Sequence, residues 1–176
     1  MLLVKDGKIV DDPYLRVLDE SPIADEGAVL VPAARLLADA GKLLDRSGEI
    51  GVLWPNDRPI SALAPLLDRL ALVALIFPSF RDGRAYSQAR LLRERHRFRG
   101  ELRATGQVLR DQLLFLDRAG FDAFEVANAA DANAFLATMH RYSVVYQPAS
   151  DGRVHAFRRR IAAAQTHARS PAATTS

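Results

Sequence analysis

The chain alternates short apolar segments with helix-forming segments, and this alternation restricts the possible folds more than any other feature of the sequence. The successive pairs are "AVLV" with "AARLLADAGKLL", "EIGVLW" with "SALAPLLDRL", "ALVALIF" with "RAYSQARLLRERH", "GELRA" with "GQVLRDQLLFLDRAG", and "FDAFEV" with "DANAFLATMHRY". About five β–α steps of this kind predict an α/β fold with a mainly parallel sheet. Because the strand segments are short and apolar, we expect helices on both faces of that sheet.

Both ends of the chain depart from this pattern. Near the start, "LLVKDGKIV" has Asp6 and Gly7 between two apolar runs, which predicts a tight β-hairpin. The end of the chain is rich in Arg, Ala, Ser and Thr. We therefore expect a single α/β domain over residues 1–150 and a basic, flexible tail over residues 151–176.

Positive charge is concentrated in one segment. Residues 1–60 carry seven basic and eleven acidic residues, whereas residues 77–110 carry nine arginines and only three acidic residues. In parallel α/β folds, ligands bind in the loops that follow the carboxyl ends of the strands, and "PSFRDGR" after Phe77 is such a loop. An anionic partner is expected to meet this part of the chain.

The arginine-rich loop predicts an anion site. Arginine offers forked, permanently charged donors that suit phosphate, sulfate or carboxylate groups. The anion-binding candidates lie in this loop, in the helix that follows it and in the next strand; they are Arg81, Arg84, Tyr86, Ser87 and Arg103. The same arginines are equally compatible with salt bridges to Asp82, Glu101 or Glu125 that brace the loop.

Two carboxylates near these arginines, Asp82 and Glu101, are the candidates for a general acid or base. Glu101 and Arg103 alternate with apolar neighbours in "GELRA", and charged side chains in a covered strand are costly unless they are paired. A structural salt bridge between them is therefore the alternative interpretation.

The helix after this loop has a basic face. At helical spacing, Tyr86, Arg90, Arg93 and Arg97 share one face, and Ala85, Ala89, Leu92 and His96 share another. Arg90, Arg93 and Arg97 are the candidate partner surface, for an acidic protein rather than for nucleic acid. A basic helix face that is only solvated is the alternative.

Several chemistries are disfavoured by the composition and by missing motifs. The chain has no cysteine, and its four histidines show no metal-ligand spacing, so we expect no metal site. Neither G-x-G-x-x-G nor G-x-x-x-x-G-K-[ST] occurs, and the residues specify no cofactor. No apolar run approaches the roughly 18 to 20 residues that span a bilayer, so we expect a cytoplasmic protein without membrane contact.

The most distinctive segments resemble a known bacterial family. The segments "FRDGRAYSQARLLR", "GELRATG", "VLRDQ" and "GFDAFE", with the later "YSVVYQP", resemble a domain of unknown function. The resemblance is specific over residues 77–148 and more general over the first half. The matching motif positions are Arg81, Asp82, Arg84, Tyr86, Ser87, Arg90, Glu101, Arg103, Gly106, Asp111, Gln112 and Gln147.

Genes of the resembled family typically lie beside those for sulfite reductase and for phosphoadenylylsulfate or adenylylsulfate reductase, and its members often carry an automatic oxidoreductase label. The resemblance therefore implies an accessory protein of assimilatory sulfate and sulfite reduction, with sulfite reductase or another sulfur-assimilation enzyme as partner. The alternative is a small enzyme, such as an oxidoreductase, that acts on a metabolite bearing sulfate, sulfite or phosphate.

Overall fold

The computed structural model describes residues 1–17 and 21–141 of the chain. It contains an eight-stranded sheet in the order β2-β1-β8-β7-β6-β5-β4-β3. The strands are β1 Leu2–Lys5, β2 Lys8–Val10, β3 Leu15–Arg16, β4 Val29–Pro32, β5 Ile50–Trp54, β6 Leu72–Phe77, β7 Glu101–Gly106 and β8 Ala123–Val126. The helices are α1 Ala33–Ala38, α2 Ala40–Leu44, α3 Arg84–Arg90, α4 Leu113–Ala119 and α5 Ala129–Arg141.

The predicted α/β class is confirmed, but the sheet is mixed rather than mainly parallel. Strands β3 to β8 are joined to their neighbours by parallel pairing, while β1 pairs antiparallel with both β2 and β8. The predicted hairpin is present, and its turn residues Asp6 and Gly7 have φ values of 51° and 70°. Gly7 accepts this left-handed conformation without steric cost. The hairpin extends the sheet through Leu2 to Lys5, which face Val126 to Ala123 in register.

Helical segments follow each of the five strands β4 to β8, as the alternation predicted, although not all of them are α-helical. Two 3₁₀ turns, Ile60–Ala62 and Ala64–Arg69, follow β5. After α3 the helix widens into a π turn over Leu91–Arg95, where the His96 N–H donates to the Leu91 carbonyl. No helix among residues 1–17 and 21–141 is long and apolar enough to cross a membrane.

All five helices pack on the same face of the sheet, so the expectation of helices on both faces is wrong. The main core joins strand residues such as Val52, Val73 and Leu75 to residues from every helix, among them Leu36, Leu43, Ala89, Leu116 and Phe135. Strands β3 to β8 lie in the sheet in sequence order, and right-handed crossovers between strands added in one direction place every helix on the same side.

The opposite face is concave, because the two edges of the sheet are joined by a short connection. Val10 ends β2 and Leu15 begins β3 at the other edge. Five residue steps span at most about 18 Å, whereas seven strand spacings in a flat sheet would separate the edges by about 34 Å. The sheet therefore curls. A smaller apolar cluster of Tyr14, Leu30, Leu53, Leu72 and Ala74 lies on this face, without a contribution from any helix.

The predicted division of the chain into a domain and a tail reaches beyond the residues that the structure describes. The predicted domain boundary at residue 150, the tail over residues 151–176 and Gln147 all lie outside the described residues.

Candidate functional site

The concave face carries a buried network of charges centred on Arg103 in β7. The side chain of Arg103 is completely buried. It donates from Nε to Glu101 Oε1 at 2.8 Å and from Nη1 to Glu125 Oε1 at 3.2 Å. It also donates through Nη1 and Nη2 to the two oxygens of Asp12, at 2.7 and 3.1 Å. Arg103 is therefore part of a satisfied internal network and does not lie on the arginine-rich loop.

Residues from both edges of the sheet complete this network. Lys5 on β1 pairs with Glu101 Oε2 at 2.7 Å, and Arg16 on β3 pairs with Glu125 on β8. Thr105 Oγ1 donates to Glu125 Oε2 at 2.5 Å. Strands β3 and β8 are five positions apart in the sheet, so the Arg16–Glu125 contact exists only because the sheet curls.

Strand alternation places these charges together. In β7, residues 101, 103 and 105 point to the concave face, while Leu102 and Ala104 belong to the helix-covered core. Sequence reasoning identified Glu101, Glu125 and Arg103 but missed Lys5, Asp12 and Arg16. The signal available was the need for counter-charges, since a covered strand with a glutamate and an arginine requires partners elsewhere in the chain.

The network shifts the pKa values of its members. The hydrogen bond to Glu101 raises the pKa of Lys5 above its usual 10.5. Burial alone would lower the pKa of Arg103, but its bonds to Asp12 and Glu101 outweigh burial and raise it. Burial, together with the hydrogen bond that its hydroxyl donates to Glu49, raises the pKa of Tyr14. These cations and the phenol keep their protons at neutral pH, and Glu101 is held between two cations.

Two clefts open beside the connection that crosses the concave face. One, of about 320 Å³, is lined by Met1, Leu2, Leu3, Val10, Asp11, Asp12, Arg16 and Glu125. The other, of about 430 Å³, is lined by Leu3, Lys5, Val10, Asp11, Pro13, Tyr14, Glu49, Ala71 and Glu101. Both therefore reach members of the charged network.

The second candidate region is the loop that carries Arg81, Asp82 and Arg84, at the carboxyl end of β6. Arg84 makes a bidentate salt bridge with Asp82, in which Nε donates to Oδ1 at 3.0 Å and Nη2 donates to Oδ2 at 2.6 Å. The Arg84 N–H also donates to Asp82 Oδ1 at 3.2 Å. Arg84 therefore matches the alternative interpretation, in which loop arginines form salt bridges that brace the loop. The arginine lowers the pKa of Asp82 well below its usual range, so Asp82 is a carboxylate at neutral pH and has no proton to give as an acid.

Arg81 differs from Arg84 in its surroundings. It is exposed, and its guanidinium lies over the Phe80 ring at 5.4 Å from the ring centre. No ion pair of Arg81 is found in residues 1–17 and 21–141. Arg81 is thus an available cation in this loop, with one face covered by an aromatic ring.

Glutamines hold the loop on both sides. Gln107 Oε1 accepts the Phe80 N–H at 3.3 Å, and Gln112 Nε2 donates to the Phe80 carbonyl at 2.9 Å. Gln112 was named as a motif position, whereas Gln107 was not. Because the loop is tied to the segment after β7, the position of Arg81 depends on both strands.

A third glutamine lies beneath this edge of the sheet. Gln88 on α3 donates from Nε2 to the carbonyls of Pro55 and Arg58, at 3.1 and 2.8 Å. The buried atoms Gln88 Oε1 and Asn56 Nδ2 have no hydrogen-bond partner of normal length among the described residues. Asn56 nevertheless lies near enough to Asp82 to contribute to the lowering of its pKa. Buried polar atoms without partners are uncommon and often mark functional regions.

Tyr86 and Ser87 lie in different settings. Tyr86 is half-buried and packs edge-on against Phe77, with ring centres 5.2 Å apart, and burial raises its pKa. Ser87 is exposed on α3. Neither side chain makes a described contact with Arg81 or Arg84.

The predicted basic face of the α3 segment is divided in the structure. Ala85, Ala89 and Leu92 are buried as predicted. Arg90 is exposed beside Glu94, but Arg93 donates to the carbonyls of Phe98, Gly100 and Gly120 and pairs with Asp122. The π turn after Arg90 changes the helical phase, and Arg97 has a left-handed φ of 53°. The three arginines therefore do not form one continuous helix face.

The chain matches a known family. The model of a family of bacterial proteins of unknown function, DUF934, matches residues 51–157. The chain belongs to this family. The match begins within β5 and includes the arginine-rich loop, Glu101, Arg103 and Glu125, while Asp12 and Arg16 lie before it. No curated protein matches the sequence significantly.

Proposed function

We propose that this DUF934 chain is an accessory protein of assimilatory sulfate and sulfite reduction, and that it binds a small anion at the carboxyl edge of its sheet. The family resemblance supplies the metabolic setting. The observation that carries the binding site is the exposed guanidinium of Arg81, which has no ion pair among the described residues and lies on the edge where α/β sheets bind ligands.

The two arginines of the loop have separate roles in this proposal. Arg84 and Asp82 neutralise one another and set the conformation of the loop. Arg81 supplies the net positive charge. Stacking on Phe80 reduces the conformational freedom that an arginine loses on binding, which favours recognition of a carboxylate, sulfate or phosphate group.

Melting temperatures measured with sulfate, sulfite, phosphate and adenylylsulfate test the binding site. A ligand that binds only the folded state raises the melting temperature with concentration. We expect such a rise for the natural chain and its loss in Arg81→Ala. Arg99→Ala is the matched control, because Arg99 is exposed and precedes the opposite end of β7. An equal response in Arg81→Ala and the natural chain would refute a site at Arg81.

The accessory role is tested separately in the native host. We expect tagged protein to co-purify with sulfite reductase or another sulfur-assimilation enzyme, and deletion of the gene to slow growth on sulfate but not on cysteine. If no such enzyme is recovered and growth on sulfate is unchanged, the assignment to sulfur assimilation is refuted, whatever the result of the melting series.

A further inference from the structure

The contact between Asp12 and Arg103 has the geometry of a bound anionic ligand. Both oxygens of Asp12 accept from the two terminal nitrogens of Arg103, at 2.7 and 3.1 Å, which is the forked arrangement that arginine uses for carboxylates and other oxyanions. Arg103 is completely buried, whereas the Asp12 side chain is 29% exposed. The aspartate reaches the arginine from the connection that crosses the concave face.

Charge balance shows why an anion is required at this position. Without Asp12, the interior network contains three cations, Lys5, Arg16 and Arg103, against two carboxylates, Glu101 and Glu125. Asp12 supplies the missing negative charge. Displacement of Asp12 would leave the network with a net charge of +1, and an incoming anion would restore neutrality.

The surroundings of Asp12 give a ligand access to the same place. The cleft of about 320 Å³ has Asp12, Arg16 and Glu125 in its wall. The Arg16 side chain is 29% exposed there, so a second guanidinium stands beside the position that Asp12 occupies. The connection is attached on this face by the side chains of Asp12, Tyr14 and Arg16.

We propose that Arg103 and Arg16 form an anion-binding site that Asp12 occupies in this structure, and that residues 11–14, between β2 and β3, are a cap which an external anion displaces. The ligand class is an anion with two adjacent acceptor oxygens, a carboxylate or a sulfite-like oxyanion. This site is separate from the one proposed at Arg81, and it does not depend on it.

Chemical rescue of Asp12→Ala, made together with Arg81→Ala so that the site proposed at Arg81 cannot respond, tests the site. The variant is expected to melt at a lower temperature than the natural chain in chloride buffer. Acetate, sulfite or sulfate, each added at the same ionic strength as a chloride control, is expected to raise its melting temperature, by roughly 5 °C near a concentration 100 times Kd. Acetate tests a carboxylate as the ligand, and sulfite tests an inorganic oxyanion.

Two further variants make the result specific. Asp82→Ala, made in the same Arg81→Ala background, removes the aspartate of a similar forked pair whose arginine is exposed, and it is expected to show no rescue. When Asp12→Ala is combined with Arg16→Gln, the anion concentration needed for the same rise in melting temperature is expected to be at least tenfold higher than for Asp12→Ala. If Asp12→Ala is not obtained folded, Asp12→Asn replaces it, since the amide preserves the size of the side chain while removing its charge. Equal responses in the Asp12 and Asp82 variants would overturn the proposal.

The cap itself is tested in the natural chain by amide hydrogen exchange. The Tyr14 N–H donates to Asp12 Oδ1 at 3.1 Å and the Tyr14 side chain is buried, so exchange at Tyr14 increases when residues 11–14 leave this face. Anions that rescue Asp12→Ala are expected to accelerate exchange across residues 11–14 of the natural chain relative to chloride. If rescue occurs while this exchange remains unchanged at the highest anion concentration, Asp12 is a fixed structural ligand and the cap is refuted.

Discussion

Two aspartate–arginine pairs in this protein have nearly the same geometry but very different environments. Both are forked, yet Arg103 is completely buried, while the Arg84 side chain is 58% exposed. Exposed pairs are screened by water and salt, whereas the removal of one partner from a buried pair leaves an uncompensated charge. Burial therefore determines how much each arginine contributes to stability.

We expect Arg103→Met to destabilise the fold by about 3 to 5 kcal/mol, because Asp12, Glu101 and Glu125 would lose their shared cation. Arg84→Met is the matched control, and it is expected to change the free energy of unfolding little. Urea unfolding of the two variants measures the difference. Similar free energies for both would contradict the view that the concave face encloses its charges.

At Gly106, at the end of β7, the backbone requires glycine. Its φ is +93°, and a Cβ atom there would lie 2.4 Å from the Phe77 carbonyl oxygen. We expect Gly106→Ala to cost about 1 to 3 kcal/mol or more. Gly41→Ala in α2 is the control, since a Cβ atom meets open space there and alanine favours the helix. Thermal unfolding that ranks Gly41→Ala as the less stable variant would contradict this account.

At the scale of elements, local patterns predicted more than long-range pairing did. Helical spacing identified the buried face of α3 and the π turn through Ala85, Ala89 and Leu92. The π turn that follows was not predictable in this way, and Arg93 within it donates to carbonyls in two separate segments. Such contacts leave no periodic signal in the sequence.

We expect Arg93→Ala to destabilise the fold by about 1 to 3 kcal/mol, because the carbonyls of Phe98, Gly100 and Gly120 would lose their common donor. Arg95→Ala tests the same π turn at an exposed position and is expected to be nearly neutral. Chemical denaturation compares the two. If Arg93 contributed only surface charge, both variants would unfold at the same denaturant concentration.

At the scale of the whole molecule, the sequence predicted the β–α order but not the curl of the sheet. The pairing of β1 with β8 joins residues more than 100 positions apart, and neither strand signals its partner. The connection from Asp11 to Tyr14 brings Asp12 to the centre of the concave face, which no local pattern in the sequence indicated. The residues of β7 and β8 therefore indicated Glu101, Arg103 and Glu125 from the sequence. Lys5, Asp12 and Arg16 join them only through the topology of the sheet.

The curl also predicts how stability depends on pH, because Lys5 and Tyr14 contribute to closing the concave face and both have raised pKa values. Above about pH 10 the unfolded chain releases these protons while the folded protein retains them. The folded state then binds more protons than the unfolded state, so the free energy of unfolding falls as pH rises, by at most about 1.4 kcal/mol per pH unit for each group. The partial exposure of Lys5 reduces its contribution to this slope.

Urea unfolding from pH 8 to 11 measures the slope, and we expect it to be shallower in a variant combining Lys5→Met with Tyr14→Phe. Parallel slopes in that variant and in the natural chain would mean that the alkaline loss of stability arises elsewhere, and that these two groups do not hold their protons more tightly in the curled sheet than in the unfolded chain.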